Sequence, residues 1–193
     1  MQIPQPVWLL LGLSPLARLI QSGISGGLGA NPIEYIIRFS GDWALWLLLI
    51  SLSISPIARL PGCRGVIRLR RLAGLFCFFY ATLHLCSYLV LDKYFDWFDI
   101  GRDLRKRPYI TVGFSTFLLL LPLAVTSSKG WIKRLGRHWG TLHTLVYPAA
   151  ILAICHYFLM TKADWRLPAL HALLLALLLG WRWRRNIFSP LPG

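Results

Sequence analysis

Six apolar runs separated by short charged loops constrain this chain more than any other feature, because a backbone surrounded by lipid must satisfy its own hydrogen bonds. The runs cover roughly residues 7–20, 43–57, 72–91, 109–126, 140–160 and 167–181. The third to fifth approach the ~20 residues that a helix needs to cross ~30 Å of hydrocarbon, whereas the second and sixth are a little short and are expected to stand nearly upright. The first contains Pro15 and Arg18 and has the length of a signal peptide's apolar region, but the small-residue stretch 22–30 continues into Asn31 and Pro32 without a cleavage context, so it is read as a span. Hydrophobic residues make up 56% of the 193 positions, with nine tryptophans, a composition far from that of a soluble domain. The expected fold is therefore all-α: one polytopic membrane bundle of about six transmembrane helices over residues 1–193.

The net charge of +14 would suggest nucleic acid in a soluble protein. Here the basic residues sit in clusters between apolar runs, which is a topology signal and gives no nucleic-acid partner. Arg59, Arg64, Arg68, Arg70 and Arg71 follow the second run, Lys129, Lys133, Arg134 and Arg137 follow the fourth, and Arg182, Arg184 and Arg185 follow the sixth. None of these loops holds an acid, and all seven acids, Glu34, Asp42, Asp92, Asp96, Asp99, Asp103 and Asp164, fall on the other side. The positive-inside rule then places both termini in the cytoplasm. The outer loop 93–108 mixes Tyr94, Phe95, Trp97 and Phe98 with acids and reads as an aromatic belt at the lipid surface, in preference to a docking site for a soluble partner.

Within the apolar runs the chemistry rests on histidine. Of the five, His84, His143 and His156 are taken as functional hypotheses, because an imidazole within an apolar run needs a partner. His138 reads as an interfacial loop residue, and His171, near the outer end of the sixth run, as a residue at the lipid surface. Counted from the cytoplasmic edge at about 1.5 Å per residue, His84, His143 and His156 lie at depths of roughly 18, 6 and 26 Å. His84 with His156 is therefore the better level match, although His156 with His171 also fits. Pro148, between His143 and His156, is placed to bend their helix.

Four cysteines, Cys63, Cys77, Cys86 and Cys155, show no CxxC spacing and read as packing residues, so neither a disulfide framework nor a zinc site is expected. No carboxylate lies in the apolar runs to act as a hydrolytic base beside zinc, whereas imidazoles on separate long helices suit a flat macrocycle held between them. With no CxxCH, such a heme would be bound by axial ligands alone. Arg68, Arg70 and Arg71 are candidates for contact with its propionates or another anionic cofactor, against the plainer role of anchoring. No GxGxxG or P-loop is present, so a nucleotide-binding electron donor would be another chain. No internal repeat is visible. The competing readings are a histidine-lined transporter or proton pathway, and a membrane anchor for a soluble enzyme.

Four stretches carry a resemblance: GGLGANP at 26–32, RLRRLAGLFCFFYATLHLCSY at 68–88, RPYITVG at 107–113 and GRHWGTLHTLVYPAAILAICHY at 136–157. They resemble the MsrQ family, formerly YedZ, the heme-binding membrane subunits of bacterial periplasmic methionine sulfoxide reductase systems. The likeness is weakest at the N-terminus and in the last run, and His171 does not look like a family feature. It implies a reduced, ferric-reductase-like transmembrane module with b-type heme and an association with FMN. It also implies electron flow from the quinone pool or a cytosolic flavin reductase to a soluble molybdenum-containing subunit that repairs oxidised proteins. By matching motif, His84, His143 and His156 are the heme-ligand candidates. Arg70 and Arg71 stand where a two-heme oxidase pattern would have histidine, so one heme is the base case, and an open axial position would turn the module into a ferric or oxygen reductase.

The topology is testable with alkaline phosphatase fusions, which are active only outside the cytoplasm. Fusions after the last run and within 129–137 should be inactive, and a fusion within 93–107 active; the reverse pattern would invert the orientation.

Overall fold

The computed structural model describes residues 5–161 and 163–188. Helices α1 (Gln5–Ile24), α2 (Pro32–Ile57), α3 (Leu69–Ser87), α4 (Trp97–Lys106), α5 (Pro108–Val125), α6 (Lys129–Leu135), α7 (Arg137–His143), α8 (Val146–Met160) and α9 (Arg166–Phe188) follow in order, with no strand among the described residues. A 3-10 turn, Arg64–Arg68, leads into α3, and a wider π turn, Tyr88–Asp92, continues it. Five helical runs have the length and apolarity to cross a membrane: Pro6–Ile24, Pro32–Ile57, Arg64–Asp92, Pro108–Val125 and Arg137–Met160. The sixth apolar run lies in α9, which is 23 residues long and ends in arginines. The side chain of Arg185 lies outside the described residues.

Two runs differ from expectation. The second is not short: α2 has 26 residues and begins 11 positions before the apolar stretch. Its start is fixed by Asn31, whose side chain accepts from the Glu34 amide and donates to the Glu34 carboxylate, with Pro32 already at the helical φ. Glu34 then pairs with Arg38 one turn on. The fifth is not one helix: α7 ends at His143 and α8 starts at Val146. Pro148 is the cause, because its ring blocks the carbonyl four residues back, and that carbonyl, Thr144, accepts from the Tyr147 amide instead.

The core lies where Leu48, Leu49 and Leu52 of α2, Cys77 and Tyr80 of α3, Leu120 of α5, Ala149, Ala150 and Ile154 of α8 and Leu175 of α9 meet. Of the cysteines only Cys77 fills this core; Cys86 and Cys155 are exposed on the flanks, and all four are free thiols. α2 packs along α3 and α5 along α8, the two most extensive pairings.

Helices interrupted by proline are mended by side chains from elsewhere. Pro15 removes an amide from α1, and the carbonyl it would have served, Leu11, accepts from the Ser14 hydroxyl. In the next gap, the Tyr80 hydroxyl donates to the Gly12 carbonyl at 2.9 Å and accepts from the Leu16 amide at 3.1 Å. Gly12 lets α3 come this close, since a Cβ there would sit 2.2 Å from the Phe76 ring. Pro56 likewise deprives the Leu52 carbonyl of its helical partner, and Arg182 of α9 donates to it at 2.8 Å while also donating to the Tyr147 hydroxyl at 2.6 Å. Arg182 thus clamps α9 to α2 and α8, beyond its contribution to the charge of the terminus.

Tyr80→Phe keeps the ring and strands two backbone groups, at a cost of about 1–3 kcal/mol. Thermal unfolding and limited proteolysis of α1 should both show the loss; an unchanged melting temperature would mean that α1 is not held through Tyr80.

Candidate functional site

Between the α2–α3 and α5–α8 pairs lies a cavity of about 480 Å³, within the ~300–1,000 Å³ range of small-molecule sites. Its deep wall is apolar, with Leu48, Cys77, Leu120 and Ala153, and its rim carries Glu34, Arg38, Asp92 and Arg107. That rim is the acidic end of the bundle, where α2 and α5 begin and α3 and α8 finish.

His84 of α3 and His156 of α8 project into the cavity from opposite sides, with ring centroids 6.0 Å apart and planes at 80°. Each is held in the same way. His84 Nδ1 lies 2.8 Å from the Ile37 carbonyl of α2, and His156 Nδ1 lies 2.7 Å from the Tyr109 carbonyl of α5. A carbonyl only accepts, so in both rings Nδ1 carries the proton and Nε2 keeps its lone pair. Four residues past each carbonyl stands a glycine directly beneath the imidazole. A Cβ at Gly41 would lie 3.0 Å from His84 Nδ1, and one at Gly113 would lie 2.8 Å from His156 Nδ1. The two halves therefore repeat one device, in which carbonyl and histidine are separated by 47 residues in each case. This repeat was invisible in the sequence because it rests on one glycine and one histidine per half.

The arrangement suits a metal ion between the rings. A first-row metal accepts imidazole nitrogen at about 2 Å, so two rings sharing one ion from opposite faces lie roughly 6 Å apart centre to centre. Nδ1–H bonded to a carbonyl is also the usual support for a ligating histidine, since it fixes the tautomer and raises the basicity of Nε2.

Residues 40–154 match the family model described as "Ferric reductase like transmembrane component". A protein of Xanthomonas euvesicatoria pv. vesicatoria (strain 85-10), named "Protein-methionine-sulfoxide reductase heme-binding subunit MsrQ", is 50% identical over 90% of this chain and 83% of its own. The chain belongs to the MsrQ family. Proteins of the same name from Xanthomonas axonopodis pv. citri (strain 306) and Caulobacter vibrioides (strain ATCC 19089 / CIP 103742 / CB 15) are 54% and 47% identical, over 86% and 91% of this chain and 76% and 84% of theirs. The family model takes in α3, α5 and most of α2 and α8; His84 lies within the matched residues and His156 lies two residues past their end.

Of the residues expected at the site, His84 and His156 come together and His143 does not. His143 stacks on Trp139 at 4.0 Å, and its Nε2 lies 3.1 Å from the Thr126 hydroxyl. That hydroxyl already donates to the Pro122 carbonyl at 2.6 Å, so His143 donates through Nε2, the opposite tautomer to the cavity pair. Arg68, Arg70 and Arg71 stand at the start of α3, at the far end of the bundle, and none lines the cavity; the arginines that do are Arg38 and Arg107. His138 is exposed in α7, as expected of an interfacial residue. His171, expected at the lipid surface, is instead 2% exposed, packed against Trp46 and Tyr157. Asp42 also lines the cavity. Outside the spans by the extent of the apolar run alone, it lies within α2, which the capping signal Asn-Pro-x-Glu starts at residue 32.

One corner of the rim is knotted by charge. Lys93 Nζ lies 2.7 Å from Asp103 and 2.9 Å from Asp99, and Asp103, 3% exposed, also receives the Tyr88 hydroxyl and Arg107. Beside this knot Tyr94 and Phe95 take positive φ, 47° and 59°, a conformation that costs a non-glycine residue about 1–3 kcal/mol. Tyr94, Phe95, Trp97 and Phe98 all remain exposed there. The bond to Lys93 holds the Asp99 carboxyl below its ordinary value, and the bonds to Asp103 and Asp99 hold the Lys93 ammonium above its own.

The knot should therefore contribute most at intermediate pH. Asp99 contributes fully above the ordinary carboxylate pKa and loses that contribution as pH falls through its depressed value. Lys93 contributes fully below the ordinary lysine pKa and loses it as pH rises through its raised value. Lys93→Met should remove about 3 kcal/mol by leaving a buried carboxylate short of its partner, and flatten the acid limb of a melting-temperature profile; an unaltered profile would dismiss the knot as a stabilising element.

Proposed function

We propose that the chain is the heme-binding, electron-carrying subunit of a protein-methionine-sulfoxide reductase system, with b-type heme held between His84 and His156. The observation that carries this is the pair of cavity-facing imidazoles 6.0 Å apart, each with Nδ1 committed to a carbonyl. The name shared by the relatives supports it, since they are called heme-binding subunits.

When bound, heme supplies a one-electron couple whose potential the surrounding protein sets. His84 and His156 would hold it through Nε2. The Ile37 and Tyr109 carbonyls keep both rings in the ligating tautomer, and Gly41 and Gly113 give the rings room. Leu48, Cys77, Leu120 and Ala153 exclude water from the deep side. Because both cavity imidazoles would be committed to holding it, the chemistry it would supply there is electron transfer in preference to direct reduction of oxygen or ferric ion. His143, its Nε2 occupied by Thr126, has no place in this pair.

The chain works in the inner membrane with both termini in the cytoplasm, receiving electrons from the quinone pool or a cytosolic flavin reductase. It delivers them to a periplasmic molybdenum-containing catalytic subunit, where methionine sulfoxide is reduced. For FMN, the second cofactor suggested by resemblance, Arg70 and Arg71 offer positive charge at the basic end. The lipid bilayer is the chain's other partner.

Purified protein should show a Soret band with sharp bands on reduction. His84→Ala and His156→Ala should each lose most of that absorbance, while His143→Ala keeps it. A colourless wild-type preparation, or single variants of the cavity pair with unchanged spectra, would sink the assignment and favour a transporter or an anchor.

A further inference from the structure

His171 is the one imidazole among those described whose chemistry remains unspent. It is 2% exposed in α9, its Nδ1 lies 2.7 Å from the Leu167 carbonyl, and its Nε2 is buried without a hydrogen-bond partner among the described residues. Because the carbonyl can only accept, the neutral ring carries its proton on Nδ1 and leaves a bare lone pair on Nε2. An unsatisfied buried acceptor costs about 1–3 kcal/mol. The Trp46 ring lies 4.4 Å away, close enough for a cation over an aromatic face. Asp42 of α2 is within electrostatic reach.

This group adjoins the electron-carrying cavity. Asp42 and Tyr157 both line that cavity, Tyr157 touches His171 at 5.6 Å between ring centroids, and each of the two is the chain neighbour of a residue already in the site, Gly41 or His156. The charged and titratable groups around it are Arg38 and Asp42 on α2, Tyr157 on α8 and Asp164 before α9. Tyr88, Asp92 and Arg107 complete the rim of the same cavity. The rim lies at the acidic end, so a proton from the outer solution reaches Asp42 without crossing the apolar floor.

We propose that His171, assisted by Asp42, is a proton-accepting site coupled to the redox state of the cavity. When an electron arrives between His84 and His156, added negative charge in a low-dielectric interior favours positive charge nearby. One proton from the outer side then forms an N–H bond at His171 Nε2, and it leaves by the same route when the electron moves on. The donor supplies the electron and water the proton, so no other reactant is required. The proposal rests on the heme reading above and adds a coupled proton to it.

The test is a potentiometric titration of the purified heme-loaded protein between about pH 5 and 8, the range in which histidine titrates. The wild-type midpoint should fall as pH rises. One proton per electron gives a tenfold change per pH unit, up to 59 mV for a one-electron couple. His171→Gln, His171→Phe and Asp42→Asn should flatten the slope, whereas Trp46→Phe, a packing control, should keep it. A purely structural role for His171 would lower stability or heme content and leave the slope intact. A pH-independent wild-type midpoint, or a slope retained in both the His171 and Asp42 variants, overturns the proposal. Absence of any heme band overturns the cofactor assignment and this proposal with it, and the spectrum tells the two failures apart.

Discussion

Nothing in the bundle matters more than the bond from each cavity imidazole to a carbonyl on the neighbouring helix. In an apolar interior an imidazole N–H without a partner is costly, and a ring free to turn would present either nitrogen to the cavity. The Ile37 and Tyr109 carbonyls answer both problems, fixing orientation and tautomer together. They do so because glycine follows four residues later, where any side chain would meet the ring. Glycine beneath, carbonyl beside and lone pair ahead form one unit, present once in each half.

The same requirement explains how a proline-rich set of helices stays intact. Pro15 and Pro56 each leave helical groups without partners, and Tyr80 and Arg182 supply them from distant parts of the chain. These repairs serve as docking contacts too, for a polar side chain that mends one helix must be carried there by another. α1 and α9 are the helices tied on in this way. A basic residue that reads as a topology signal thus has a second occupation: Arg182 belongs to the charged terminus by sequence and to the α2–α8–α9 junction by contact.

Charge is sorted along the bundle axis. Carboxylates gather at the end where the cavity opens, and there they bind Lys93, Arg38 and Arg107 in local pairs. The basic end holds arginines that bond to carbonyls and stack on aromatic rings, as Arg59 does on Trp181 at 5.0 Å and Arg182 on Tyr147 at 5.2 Å. The imidazole pair thus faces the basic end across the deep apolar wall of the cavity and the acidic end through its charged rim.

Spans, charge asymmetry and the three intramembrane histidines were legible in the chain, because apolarity, arginine position and the cost of a polar ring in lipid are properties of residues taken singly or in runs. The level match of His84 with His156 was also within reach, since helical rise converts residue number into depth. The start of α2 is written in the Asn31–Pro32–Glu34 cap, which apolarity alone does not register, and so apolarity alone leaves Asp42 outside the span. The tertiary structure alone decided the rest. Which carbonyl each imidazole meets, that Gly41 and Gly113 lie under the rings, that His143 turns to Thr126 and that His171 points into the protein all depend on how helices rotate against one another. That rotation is set by packing between residues dozens of positions apart, where the sequence carries no period to read.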